Sequence, residues 1–167
     1  FLEHIYRLDA VEADDAICDE YNDKGIDGVY VDHNSEEIHL FQAKISQKTG
    51  RTIGDTALKE FSGSLDQFIT PEAIQKILEG NANADLKKSL IRNDIKSLID
   101  KGYQLTGIFI SNSQKDSNTI QYENINEKIR IFCAETIAEN FIEFDADEGV
   151  TGSFDFDTSY AGVIDLT

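Results

Sequence analysis

The stretch G25-I-D-G-V-Y-V-D-H-N-S-E-E-I-H-L-F-Q-A-K44 has the pattern of a β-hairpin, and the remaining segments are read around it. Val29-Tyr30-Val31 is a short β-branched and aromatic run, His33-Asn34-Ser35-Glu36 a polar loop, and Ile38 to Lys44 a second strand. Side chains alternate across a strand. Ile38 and Leu40 therefore share one face, and His39, Phe41 and Ala43 take the other. Gln42 and Lys44 follow the parity of Leu40, so the apolar side of this arm turns polar at its C-terminal end. Asp27 stands just before the first arm, where a hairpin can bring it beside Gln42, and Gly25 and Gly28 give the backbone around it freedom.

A carboxylate and an amide oxygen are hard ligands suited to Mg²⁺ or Mn²⁺, with water completing the shell. Such an ion lowers the pKa of bound water and neutralises charge on a phosphate. A nearby lysine can position the attacking water or stabilise the phosphate in the transition state. Asp27, Gln42 and Lys44 thus supply the parts that phosphodiester hydrolysis needs. A third carboxylate would strengthen the site. Glu3, in an N-terminal segment that reads as helix, could be placed over the ion by packing on the hairpin. Glu12, Glu20, Asp23 and Asp32 are rivals, and the spacing does not choose among them. The same residue types also have plain uses, since Asp-Gly often marks a turn and a strand-end lysine is often only solvated.

Outward from the hairpin, residues 1–20 read as helix, with Phe1, Leu2, Ile5 and Leu8 as an apolar stripe, a break near Leu8-Asp9 and a second short helix after it. Residues 45–56 are polar and read as a mobile crossover. Residues 56–69 repeat Leu58, Phe61, Leu65 and Phe68 at helical spacing. Thr70-Pro71-Glu72 is a helix start, with Thr as cap and Pro in the first turn, and that helix ends at Gly80. Residues 84–100 read as one amphipathic helix whose wet face carries Lys87, Lys88, Arg92 and Lys96. Leu105 to Ser111 is apolar on both faces and reads as a central strand. Residues 112–119 read as loop, Ile129 to Cys133 as strand and Ala134 to Phe141 as a short helix. The segment from Phe154 onward reads as an edge strand or linker. The order predicts an α/β domain with a mixed sheet flanked by helices.

The chain has 167 residues, 40% of them hydrophobic, enough for one domain with a real core. We expect that domain over residues 1–144, with 145–167 as an acidic C-terminal extension or a linker to a further region. No apolar run is long enough to span a bilayer. The chain begins at Phe1 and contains no methionine, so an upstream segment is expected. Cys18 and Cys133 have no partner spacing and read as buried thiols in a reducing compartment, pointing to the cytoplasm. The three histidines have no zinc-protease spacing. The formal net charge of −17 argues against a general nucleic-acid coat. That charge is uneven: residues 134–167 hold nine acids and no base, leaving 23 acids against 15 bases elsewhere, a net of −8. Local basic patches follow the hairpin at Lys44, Lys48, Arg51 and Lys59.

The run N22-D-K-G-I-D-G-V-Y-V-D32 followed by I38-H-L-F-Q-A-K44 resembles the core of the PD-(D/E)xK nuclease superfamily. It is similar in particular to the Mrr-like restriction endonuclease branch and to the N-terminal domain of the abortive infection phage resistance proteins. The resemblance implies an αβββαβ restriction-endonuclease-like core, a divalent metal, and DNA as substrate in restriction or phage defence. By residue, it matches Asp27 to the metal-binding Asp, Gln42 to the Glu/Gln position and Lys44 to the catalytic Lys, with Glu3 as the best match to an upstream helical Glu. Metal would then sit on Asp27, Gln42 and Glu3. No proline precedes Asp27, and Gln replaces the usual Glu, which removes a negative charge from the ion. A catalytically degenerate fold serving as a binding or assembly module is the alternative. A homodimer would pair two sites for double-strand cleavage, and the remaining domains of a larger polypeptide are further expected partners.

Overall fold

The structure is a computed structural model that describes residues 1–18, 21–48 and 50–140. The elements run α1 (Ala10–Ala16), β1 (Gly28–Asp32), β2 (Glu37–Lys44), β3 (Thr52–Ile53), α2 (Asp55–Leu65), α3 (Pro71–Glu79), α4 (Ala84–Arg92), α5 (Ile95–Asp100), β4 (Gln104–Ser111), β5 (Gln114–Lys115), α6 (Ser117–Ile125), β6 (Ile129–Phe132) and α7 (Ala134–Asn140). The main sheet has the order β1-β2-β4-β6. β1 and β2 form the expected antiparallel hairpin, while β2–β4 and β4–β6 are parallel. This is an α/β fold with a mixed sheet flanked by helices. The two-residue β3 pairs with β5 in a separate two-stranded sheet.

The sheet is covered on both faces, which is why β2 and β4 are buried along most of their length. On one face Ile38, Leu40 and Phe109 pack with Leu58, Phe61 and Leu65 of α2 and with α3 to α5 in the main core. Gly107 of β4 is the contact point: a Cβ there would lie 2.5 Å from Leu65 Cδ1 and 2.8 Å from Phe61 Cε1. On the other face the N-terminal segment lies over His39 and Phe41. Phe1, Tyr6, Phe41 and Phe132 form an edge-to-face aromatic cluster there, beside a small core of Leu8, Ala13 and Ala16.

Local chemistry explains most boundaries. Asp9 and Glu12 form a reciprocal capping box that starts α1. Thr70 caps α3 and Pro71 occupies its first turn, as the sequence indicates. Three expectations are corrected. Residues 1–8 form a single turn closed by the Ile5 N–H on the Phe1 carbonyl; the chain then reverses at Arg7, whose φ is 61°. Glu3 therefore lies in a turn and not on a helix. The expected helix over 84–100 is two helices, because Asp94 adopts a left-handed conformation (φ 50°) that a short polar residue tolerates. That turn lets both Leu90 and Ile95 reach the core. Finally, residues 112–119 contain β5 and the start of α6, capped by Asp116. Only Thr119 of α6 is buried, so no apolar stripe announces that helix. The tail expected as an extension, 145–167, lies outside the described residues.

Candidate functional site

Asp27 is placed by a β-bulge. Gly28 faces Phe41 in the hairpin register, and the Asp27 N–H also donates to the Phe41 carbonyl at 2.8 Å. Two residues of this arm thus address one of its partner. The bulge resets the alternation, so Asp27 lines the same cavity as Gly28, Phe41 and Ala43. Its Oδ2 accepts the Ala43 N–H at 2.6 Å, which pins the carboxylate at the edge of β2 between Gln42 and Lys44. Gly28 is required there, since a Cβ would meet the Ala16 carbonyl oxygen at 2.9 Å.

The four expected site residues fall into two pairs. Glu3 and Asp27 line one cavity of about 620 Å³, whose other walls are largely apolar and include Phe1, Ile17 and Ile45. Gln42 and Lys44 turn to the α2 face. Gln42 Nε2 donates to the Gly25 carbonyl at 3.0 Å, and Lys44 Nζ lies 3.4 Å from Glu60 of α2, both side chains being well exposed. The Asp27–Ala43 hydrogen bond joins the two pairs. Gln42 Oε1 is buried and has no hydrogen-bond partner. The amide is oriented by its donation to Gly25, so the orphan is its acceptor oxygen, the atom that could ligate a cation. Gly25 itself needs its left-handed φ of 76°, and a Cβ there would press on Ser64 Oγ at 2.7 Å. Among the described residues, no group of three or more His, Cys, Asp or Glu stands together in a geometry that could hold a metal ion. Of the rival acids, Glu12 is used in the α1 capping box and Asp23 and Asp32 accept turn N–H groups. Glu20 lies outside the described residues.

A second polar constellation escaped the sequence reading. Tyr6 Oη lies 2.9 Å from His39 Nδ1, His39 Nε2 lies 2.7 Å from Glu37 Oε2, and Arg130 donates to Glu37 Oε1 at 2.5 Å. His39 is only 4% exposed. Because Nε2 faces a carboxylate, a neutral His39 carries its proton there and accepts the Tyr6 hydroxyl at Nδ1. Burial pushes the Tyr6 hydroxyl well above the usual phenol range. Burial also pushes Glu37 up, but the hydrogen bonds from His39 and Arg130 outweigh it and hold the carboxyl below its ordinary value. This chain straps the N-terminal segment, with Glu3 on it, to the sheet. Its trace in the sequence is Glu37-x-His39, two residues of one strand face.

Comparison of the chain with protein-family models, with curated proteins and with solved structures finds no match. The fold defines the molecule as an α/β domain with a mixed sheet, and none of the described helices is long and apolar enough to cross a membrane.

Proposed function

We propose that this chain is a metal-dependent DNA endonuclease domain that hydrolyses phosphodiester bonds in restriction or phage defence, working in the cytoplasm. The observation that carries the reading is the buried, unpartnered Gln42 Oε1, two residues before Lys44 and next to the turn that delivers Asp27. An orphaned buried acceptor costs about 1–3 kcal/mol, and a hard cation is one natural partner for it. The carboxylates of Asp27 and Glu3, which line one cavity, suit Mg²⁺ or Mn²⁺, and Gln42 Oε1, which turns to the α2 face, would join them by reaching around the end of β2 beside the Asp27–Ala43 hydrogen bond. When bound, the ion would supply a more acidic water and charge neutralisation at the phosphate. The Ala43 N–H holds the Asp27 carboxylate in place. The Lys44–Glu60 pair is exposed and worth under about 1 kcal/mol, so the ammonium can leave Glu60 for a phosphate oxygen.

Titration calorimetry with Mg²⁺ and Mn²⁺, paired with a plasmid-nicking assay, tests this. Asp27→Ala should lose both ion binding and nicking, and Lys44→Ala should lose nicking while keeping the ion. Full nicking by both variants would refute the assignment. The net charge of −17 and the neutral Gln42 at the position where a carboxylate is usual motivate a second reading, a nuclease-like fold used as a binding or assembly module. It predicts no heat of ion binding and no thermal stabilisation by either metal.

A further inference from the structure

Among the described residues, the side-chain nitrogens of Lys48, Arg51, Lys76 and Lys101 have no hydrogen-bond or ion-pair partner. In a chain with 32 acids and 15 bases, a cation kept apart from carboxylates is informative. Two of these four, Lys48 and Arg51, line one pocket of about 270 Å³ between the loop after β2 and the β4–β5 corner. Among the described residues, the rest of its wall is Ser46, Gln47, Gly50, Asn112, Ser113, Gln114 and Ala134, with no Asp or Glu.

The pocket is built rather than incidental. Asn112 clamps the loop in both directions: its Oδ1 accepts the Ser46 N–H at 2.8 Å and its Nδ2 donates to the Ser46 carbonyl at 2.9 Å. Ser46 Oγ accepts the Lys48 N–H at 3.2 Å and donates to the Lys48 carbonyl at 3.0 Å. Just past Gly50, Thr52 of β3 is paired with Gln114 of β5, which fixes where Arg51 departs. A hydrogen-bond chain ties the pocket to the end of β2, since the Ser113 N–H donates to Ser111 Oγ and Ser111 Oγ donates to the Lys44 carbonyl. Both cationic side chains are exposed. Two free cations ringed by neutral amides and hydroxyls, next to Lys44, match the chemistry of a phosphodiester: a spread negative charge with several acceptor oxygens.

We propose that this pocket seats a backbone phosphate of nucleic acid, with Lys48 and Arg51 as its two charge contacts. The proposal extends the endonuclease reading by locating where the strand would lie, and it concerns binding alone, so it is tested in EDTA, where metal chemistry plays no part. The full chain is titrated against a short labelled DNA duplex by fluorescence anisotropy, over about 50 to 200 mM salt. Each phosphate contact contributes about 0.9 to the slope of log K against log salt, which is roughly tenfold in affinity at 0.1 M. The double variant K48Q/R51Q should therefore lose about 1.8 from that slope and bind roughly a hundredfold more weakly than the wild type. K76Q/K101Q changes the net charge equally, away from the pocket, and should keep the wild-type slope. The proposal is overturned if the two double variants lose equally, if K48Q/R51Q binds as the wild type does, or if inorganic phosphate saturates the pocket while the duplex does not bind.

Discussion

Substituting Gly107 by alanine adds one methyl group where β4 packs against α2. Its Cβ would stand 2.5 Å from Leu65 Cδ1, 2.8 Å from Phe61 Cε1 and 3.2 Å from Phe61 Cζ. Carbon atoms in contact prefer about 3.5–4.0 Å, so roughly 1 Å of room has to be found. Phe61 is 0% exposed and Leu65 1%, and neither can swing into solvent, so α2 must lift from β4. Overpacking of this kind costs about 1–3 kcal/mol, offset by the roughly 0.5–1 kcal/mol that alanine returns by restraining the unfolded chain. The expected net loss is about 1–2 kcal/mol, or about 2–8 °C in Tm for a domain of this size. Urea unfolding should show a lower midpoint with unchanged slope. Leu65→Ala alone should cost about 2–5 kcal/mol. The double variant should be less destabilised than the sum by about 1 kcal/mol, because the Leu65 methyl that obstructs the new Cβ is gone. A Gly107→Ala protein as stable as the parent, or strictly additive with Leu65→Ala, would show that α2 does not rest on β4 in this way.

Three further outcomes follow from the polar contacts. Tyr6 has a raised hydroxyl pKa, so its folded form keeps a proton that the unfolded chain releases above about pH 10. Stability should fall as pH rises beyond that point, and Tyr6→Phe should flatten the fall, leaving a residual slope from Tyr30, which is also raised by burial; urea midpoints across pH 9–11 read this. Glu37 is depressed in the folded state, so its contribution is full above about pH 4.5 and is lost as pH falls through its lower folded value. The gap between wild type and Glu37→Gln should be constant near neutrality and close in acid, as followed by circular dichroism. Asn83→Ala removes an N-cap that accepts the Leu86 N–H at 2.7 Å and donates to the Cys18 carbonyl at 3.1 Å; calorimetry should register a loss of about 1–3 kcal/mol.

The hairpin, the central β4, the capped start of α3 and the strand β6 were legible because each rests on local pattern: alternation, a run apolar on both faces, or a Thr-Pro-Glu start. What escaped was set by contacts distant in the chain or by single backbone angles. Arg7 and Asp94 have positive φ without being glycine, and nothing in residues 1–8 or 84–100 taken alone forbids a continuous helix. At the candidate site the sequence grouped Gln42 and Lys44 by strand parity and brought Asp27 beside Gln42 across the hairpin, and the bulge at Asp27 breaks the alternation that would keep them on one face. Strict alternation would place Asp27 with Gln42 on the α2 face. The extra residue instead turns Asp27 into the cavity that Glu3 lines, and its hydrogen bond to the Ala43 N–H keeps it next to the Gln42–Lys44 arm.

The net charge needs the same positional treatment. Counted from composition, a helix face with Lys87, Lys88, Arg92 and Lys96 is the obvious basic patch. In the fold those charges are already engaged: Lys87 donates to the Gly80 carbonyl, Lys88 pairs with Asp85, Arg92 with Asp15, and Lys96 donates to Gln75 Oε1. A phosphate approaching that face would have to displace these partners and would meet Asp15 and Asp85 beside them. At Lys48 and Arg51 it would displace none among the described residues. For a chain of this charge, the capacity to hold a polyanion is therefore governed by which cations the protein's own acids have left unpaired. That criterion favours the loop beside Lys44, where the sequence already places a basic patch at Lys48 and Arg51, over the α4–α5 face.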